Sequence, residues 1–504
     1  MNKIIRALCL CLLAALPAAA TTFTPMADRA LVDQADLIAE LRVDDASPAP
    51  ESSGRLATDY TMTIERLLKG EAPEGAVTVR VPGGERADGV GLKVFGAPGF
   101  QPGERTLLFL VRRDDGTYGP LHLMLGAFHA REILGKRVAV RDLSQAHPLA
   151  GGGEPEPLRD LDRFGDWIAA RVAGRDEAAD YAVQDAGAPR ARFEKFTLIT
   201  NPQGVAARWF VFDTGGSVAW HAHVKGQDGL DNDGAAEVQA SLKAWTDDPS
   251  TNIRYNYAGT SSANGGLQNP DGVNVILFDD PNSEIDGTYN CSTGGVLAYG
   301  GYWYANVAPR TVNGRPYYSI GEVDIVTQDG ASCTLGVQQA DSGSKLAVRL
   351  FTHELGHTLG LGHSCGDDES GPCDTREKFD AIMKATLRNN STGPLLGTDD
   401  RAGIGFLYSS AGSGGGASNL AASAVATTSV TLSWSDNTSN ETRFIVERKN
   451  GSKFVQAASV PANRKTATIN GLSPGKTYVF RVRAKTRSGL STPSNEVTVT
   501  TGKR

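Results

Sequence analysis

Residues 353–363 read His-Glu-Leu-Gly-His-Thr-Leu-Gly-Leu-Gly-His and hold three of the chain's eight histidines. On a helix, His353 and His357 lie one turn apart and point the same way. Two imidazoles so placed can each give a nitrogen to one zinc ion. Glu354 follows the first of them, where its carboxylate can take a proton from a metal-bound water. Gly360 can adopt the left-handed conformation that ends a helix and turns the chain back, which lets His363 complete the set. Three neutral imidazoles leave a fourth position for water, the arrangement of a catalytic rather than a closed structural zinc. An isolated H-x-x-x-H is often a packed or exposed pair. Here the carboxylate, the glycine and the third histidine all stand in register, and hydrolysis by an activated water is the chemistry they suit.

The elements that must position these residues follow from periodicity. Leu346, Leu350, Leu355 and Leu359 recur at helical steps, so a helix starting near Ser342 or Ser344 should carry the first two histidines. Residues 195–199, 208–211 and 218–222 read as strands and 235–245 as a helix, giving an α+β domain over 191–409. Ahead of it, runs at 60–67, 77–81 and 106–111 alternate apolar and polar positions between turn residues. They define a β-rich domain over 21–150 whose role the sequence does not give, with a short helix near 28–38. Residues 151–190 form a Gly/Pro/Glu-rich linker and an amphipathic helix in which Leu158, Leu161, Phe164, Trp167, Ile168 and Val172 share a face. A Gly/Ser-rich linker at 410–417 precedes a separate module at 418–502.

With 504 residues the chain exceeds what one hydrophobic core fills. Residues 1–20 read as an export signal: Lys3 and Arg6, an apolar stretch, then Ala18-Ala19-Ala20. The mature protein should begin at Thr21 and be secreted, to the periplasm or the extracellular medium, with no membrane span once the signal is removed. The formal charge of −7 becomes −7 − 2 = −9 without Lys3 and Arg6. An acidic chain without a basic cluster argues against nucleic acid or anionic lipid as partner. Four cysteines remain, and an even number in an exported chain favours disulfides. Proximity pairs Cys365 with Cys373 and leaves Cys291 with Cys333; a cysteine zinc site would need a C-x-x-C spacing that is absent.

The 353–363 pattern resembles the HExxHxxGxxH signature of the metzincin metallopeptidases, whose ligands rest on a downstream Met turn. Met383, in Asp380-Ala381-Ile382-Met383, is the candidate, a structural support rather than a ligand. Ser364 and the acidic, glycine-containing stretch 397–408 resemble the matrixin subgroup, as do residues 209–213 and 220–223. This resemblance implies a mixed twisted sheet with an active-site helix, one catalytic zinc on His353, His357 and His363, and Glu354 as catalytic base. It also implies an edge strand at Gly295, Val296, Leu297, Ala298 and Tyr299 on which an extended protein or peptide substrate docks. Tyr299 stands where many animal matrixins carry a histidine for a second zinc, so one zinc is expected. No cysteine occurs at 21–290, so the cysteine switch of those relatives is missing; if the N-terminal domain imposes latency, it must do so by another means, such as occlusion. The stretch after Met383 lacks the Pro and Tyr that shape the specificity pocket in relatives, and has no tyrosine for a fifth ligand. Residues 430–434, Leu472-Ser473-Pro474 and Tyr478 resemble a fibronectin type III β-sandwich with its tyrosine corner, a module suited to docking on protein or polysaccharide.

Weaker signals stay open. The segment Asp228-Gly229-Leu230-Asp231-Asn232-Asp233-Gly234 could accept Ca2+, but suits a solvated turn and helix N-cap better; Asp279-Asp280-Pro281-Asn282 is ambiguous in the same way. His221 and His223 share a strand face with no third ligand in view. Two other functions compete with the endopeptidase reading. One is a surface-binding or adhesive protein with a vestigial zinc site; the other is a related hydrolase of non-peptide amides.

Overall fold

The computed structural model describes residues 21–503 apart from 51–54, 73, 134, 144–145, 150–156, 184–195, 202–203, 313–314, 339–344, 367–369, 371–372, 386–394, 409–415, 437–440, 452, 487–488 and 492. The signal segment, most of both linkers, and residues 342 and 344 therefore lie outside the described residues.

In the N-terminal domain the alternating runs form a sheet that closes on itself. Strand Arg105–Arg112 pairs with Leu37–Pro48, and that strand with Ala57–Lys69, which in turn pairs with Ala76–Pro82. Tyr118–Pro120 then pairs with both Ala76–Pro82 and Arg105–Arg112, completing the ring. Alternation sorts the side chains: Leu37, Ala39, Leu41, Leu108 and Leu110 fill the barrel, while Ile38, Leu107 and Phe109 face outward. Those outward residues are covered by helices α1 (Asp28–Gln34) and α2 (Leu161–Val172) through Leu31, Val32, Phe164 and Ile168. The amphipathic helix read from the sequence thus covers the N-terminal sheet. Strands Leu158–Asp160 and Ala182–Val183 extend that same sheet, so this body runs to Val183 where a boundary at 150 had been expected. Strands of three and two residues are too short to leave a periodic signal.

The second sheet runs in the order His147–Pro148, β1 (Thr21–Thr24), β2 (Gly295–Val312), β3 (Arg315–Thr327), Asn274–Leu277, Val218–His223, Tyr255–Ser261. Its last four strands are mutually parallel, and β2 runs antiparallel to β3. Helices α3 (Ala235–Thr246) and α4 (Leu346–Thr358) pack on one face, where Val238, Leu242, Trp245, Leu350, Phe351 and Leu355 share a core with Trp220, Ile276, Leu297 and Ile325. Helix α5 (Thr398–Tyr408) closes the domain through Ile404, Leu407 and Tyr408.

Residues 196–199 do not form the expected strand; Leu198 makes only an isolated bridge to Leu361. Their backbone is spent on the turn after α4 instead: Ile199 N donates to Gly360 O and Gly362 N to Thr197 O, both at 2.9 Å. Likewise 208–211 splits into a short strand, Ala206–Arg208, and a 3-10 turn, Val211–Thr214.

The C-terminal module is a β-sandwich around Val430, Leu432, Trp434, Phe444, Val446, Phe480 and Val482. Ser473 N donates to Tyr478 OH at 2.9 Å, the tyrosine corner.

Candidate active site

Helix α4 carries His353, Glu354 and His357 at complete burial. Its packing is fixed on several sides. Trp245 Nε1 donates to Thr352 O at 2.8 Å, and Ser241 Oγ to Val348 O at 2.9 Å. The carbonyls that end the helix are satisfied from elsewhere in the chain: Trp209 Nε1 donates to Thr358 O and Tyr408 OH to Leu359 O, at 2.9 and 2.7 Å. A Cβ at Gly356 would overlap Met383 Sδ and Trp245, so the glycine is what lets both pack against the helix. Gly360, at φ +94°, makes the turn the sequence implied, pressed so close to Ala207 O that no side chain fits.

That turn brings His363 back to the other two imidazoles, with ring centroids 5.3 Å from His353 and 5.2 Å from His357. The three ligand nitrogens lie within 4.8 Å of one another. Among the described residues no other group of three His, Cys, Asp or Glu side chains could hold one metal ion. Two of the rings are oriented by carbonyls that can only accept: His353 Nδ1 donates to Ile382 O at 2.7 Å and His357 Nδ1 to Leu361 O at 2.8 Å. Each ring's Nε2 therefore presents a lone pair. Those two Nε2 atoms stand 2.8 Å apart. Two lone pairs facing each other in a buried site repel unless a cation lies between them, and burial keeps both rings neutral by pushing their pKa values well below the usual histidine range. The donor set fits zinc.

Burial pushes Glu354 up to about 8, opposed by a hydrogen bond from Thr22. That bond, Thr22 Oγ1 to Glu354 Oε1 at 2.6 Å, spans 332 positions and was not readable from the sequence. Met383 is buried beside the ligand helix, and its carbonyl accepts from Ser364 N at 2.8 Å. Asp400 was also missed. Its carboxylate accepts from Ile382 N, Met383 N and Gly397 N at 2.7, 3.0 and 2.6 Å, fixing the turn whose Ile382 carbonyl aims His353. Its only sequence signal was an acidic residue opening the closing helix. Disulfides join Cys365 to Cys373 and Cys291 to Cys333.

Gly295, Val296, Leu297, Ala298 and Tyr299 begin β2, as expected, but β2 is not a free edge here. Strand β1 pairs with it antiparallel, Thr22 opposite Ala298 and Thr24 opposite Gly295. Farther along, Val90–Val94 pairs with residues 301–305. The Tyr299 hydroxyl donates to Glu284 at 2.7 Å. His122, buried, reaches the same strand; it adopts a left-handed conformation and a Cβ on Gly295 would come within 2.7 Å of its ring.

The weaker signals resolve structurally. In the 228–234 loop, Asp231 pairs with Lys345 at 2.6 Å and its N–H donates to Glu237. The cap of α3 is Gly234 with no side-chain bond, so the expected acidic N-cap is not formed. Asn232 and Asp233, just ahead of it, take left-handed conformations instead. Asp280 closes its own turn by accepting from Glu284 N and Ile285 N at 2.8 and 2.9 Å. Neither loop is part of a three-ligand cluster, so calcium has no support in the described residues. His221 and His223 are strand residues of Val218–His223.

Two protein-family models match the chain. Residues 246–393, which include the histidines and Met383, match that of metallo-peptidase family M12, and residues 416–500 match the fibronectin type III domain. The chain therefore carries a metzincin-type metallopeptidase domain followed by a fibronectin type III domain; the matching peptidase family is M12 and not the matrixins. Similar solved structures include a multidomain titin fragment, 27% identical over 18% of this chain and 32% of that one, TM-score 0.16. The fibronectin type III domain of a human protein, fibronectin type III domain containing protein 3, is 25% identical over 19% of this chain and 91% of its own length, TM-score 0.17. The chain thus spans about a third of the titin fragment.

Proposed function

We propose that the protein is an exported zinc-dependent endopeptidase that cuts internal bonds of extracellular or periplasmic proteins. The observation that carries this reading is the convergence of three buried imidazoles, two of them locked by carbonyls with Nε2 outward, beside the carboxylate of Glu354. Zinc held by His353, His357 and His363 would lower the pKa of a bound water toward about 7 and polarise the scissile carbonyl. Glu354 takes the proton from the attacking water and delivers it to the leaving amine. The peptide groups of Val296, Leu297 and Ala298 receive the substrate as an extended strand, which suits cleavage within a polypeptide and not only at its ends. Asp400 and the Ile382-Met383 turn hold His353 in aim. The fibronectin type III module serves as a docking domain for protein or polysaccharide, a role the fold permits without specifying.

The test is cleavage of unfolded casein by the full chain and by a variant lacking residues 21–24, with and without a zinc chelator, beside Glu354→Ala. Chelator-sensitive cleavage that disappears in Glu354→Ala is the expected result. Cleavage that survives both the chelator and the substitution would refute the reading.

A further inference from the structure

The catalytic site as it stands cannot accept a substrate. All three histidines and Glu354 are buried, and one carboxylate oxygen of Glu354, Oε1, accepts the hydroxyl of Thr22. β1 reaches the base itself, through Thr22, and its placement is that of a substrate. It lies antiparallel on Gly295, Val296, Ala298 and Tyr299, the same peptide groups assigned above to substrate docking. A second wall belongs to the N-terminal domain: His147–Pro148 pairs with the outer edge of β1 in parallel, and Leu149 N donates to Phe23 O at 2.6 Å. The strand is thus held from both sides.

Its side chains are seated as a ligand's would be. Thr21 Oγ1 donates to Phe95 O at 2.6 Å, and the Phe95 ring stands 5.9 Å from that of His357. Phe23 is 3% exposed, within a core shared by Leu121 of the barrel and by Val296 and Tyr299 of the peptidase domain. Thr24 Oγ1 meets Tyr289 OH at 2.9 Å. Gly294 makes the close approach feasible, since a Cβ there would come within 2.7 Å of Thr24 O. Past Pro25 the cleft continues as an open cavity of about 820 Å³ between α1 and the loop around Tyr289 and Thr293.

We propose that Thr21–Thr24 is an intramolecular substrate mimic that keeps the peptidase latent, and that the N-terminal domain supplies the outer wall of the substrate cleft. This inference rests on the peptidase reading and deepens it. The device needs no metal-ligating residue, because the hydroxyl of Thr22 engages the base and the backbone of β1 consumes the hydrogen bonds that a substrate would make. The domains share an apolar core, so the smallest unit that must leave is the four-residue strand, with the barrel remaining in place. The substrate is then an extended, unfolded segment inserted between β2 and His147–Pro148, with a small β-branched residue opposite Ala298 and an aromatic residue following it.

The experiment compares three zinc-loaded chains starting from Thr21: unaltered, lacking residues 21–24, and Thr22→Pro. The proline removes an N–H and bars strand pairing without shortening the chain, which guards against the deletion simply misfolding. The probe is a fluorescent peptide hydroxamate read by anisotropy, and the competitor is the free hexapeptide Thr-Thr-Phe-Thr-Pro-Met. Both altered chains should bind the probe at least 100-fold tighter than the unaltered one. The hexapeptide should displace it, and replacing its Phe by Asp should weaken that displacement at least tenfold. Equal probe binding by all three chains, or no displacement by the hexapeptide, would overturn the proposal. Probe binding and displacement as expected, with casein left uncut by the opened chains, would show that β1 occupies the cleft at the histidines but would sink the peptidase reading, and with it the role of β1 in latency.

Discussion

Helix α4 and strand β1 meet at the side-chain hydrogen bond from Thr22 to Glu354, and reach it by opposite routes. The floor of the site is local: the two helical histidines, the base, the turn and the third ligand lie within residues 353–363. Helical spacing aligns the first two ligands, and a glycine at φ +94° returns the third. The roof is remote, built from residues more than two hundred positions away that recognise the peptidase domain through backbone pairing. A floor made from side-chain chemistry should tolerate changes in the roof, whereas a roof made from backbone hydrogen bonds should yield to any strand that offers the same pattern.

Several substitutions break or sharpen that comparison. The largest effect belongs to the floor. In a chain opened by removing residues 21–24, His357→Ala removes a ligand and should abolish both zinc binding and casein cleavage, a loss of more than about a thousandfold in kcat/KM by the usual weight of metal catalysis. Next is the packing beneath it. Trp245 is fully buried and holds Thr352 O, so Trp245→Ala should cost roughly 3 to 5 kcal/mol of stability, read as a fall in the denaturant midpoint. The roof has a smaller, pH-dependent counterpart in His122. Burial pushes its pKa from 6.5 down to about 4. The unfolded chain takes up that proton first as pH falls, so stability should decline between about pH 6.5 and 4 and level off below, by up to roughly 3 kcal/mol. Thermal melts across that window should lose this part of the slope in His122→Asn, a residue that tolerates the left-handed backbone. The smallest effect is expected at the C-terminus. In the same opened chain, removing residues 416–504 should leave kcat/KM for casein within about twofold, because the sandwich has its own core and a docking role should affect attachment rather than chemistry.

What the sequence disclosed follows the same division. The ligand helix, the Gly360 turn, the cysteine pairs, the barrel strands and the fibronectin type III sandwich were legible because each leaves a periodic, spaced or compositional trace. The role of Asp400 was not, because it acts on backbone N–H groups, which carry no side-chain signature. Nor was β1, whose Thr-Thr-Phe-Thr is too short for a period to register and whose partners are fixed only by the finished fold. The segment 196–199 misled because its apolar spacing fits a strand, while its hydrogen bonds go to the histidine turn. Strands of two and three residues at 158–160 and 182–183 moved a domain boundary for the same reason.

The most direct test of the central claim is the zinc content of three purified chains: unaltered, lacking residues 21–24, and His357→Ala. If the metal belongs to the floor and access to the roof, the first two should each hold one zinc per chain and the third none. Zinc absent from the unaltered chain, or retained in full by His357→Ala, would contradict the site described here.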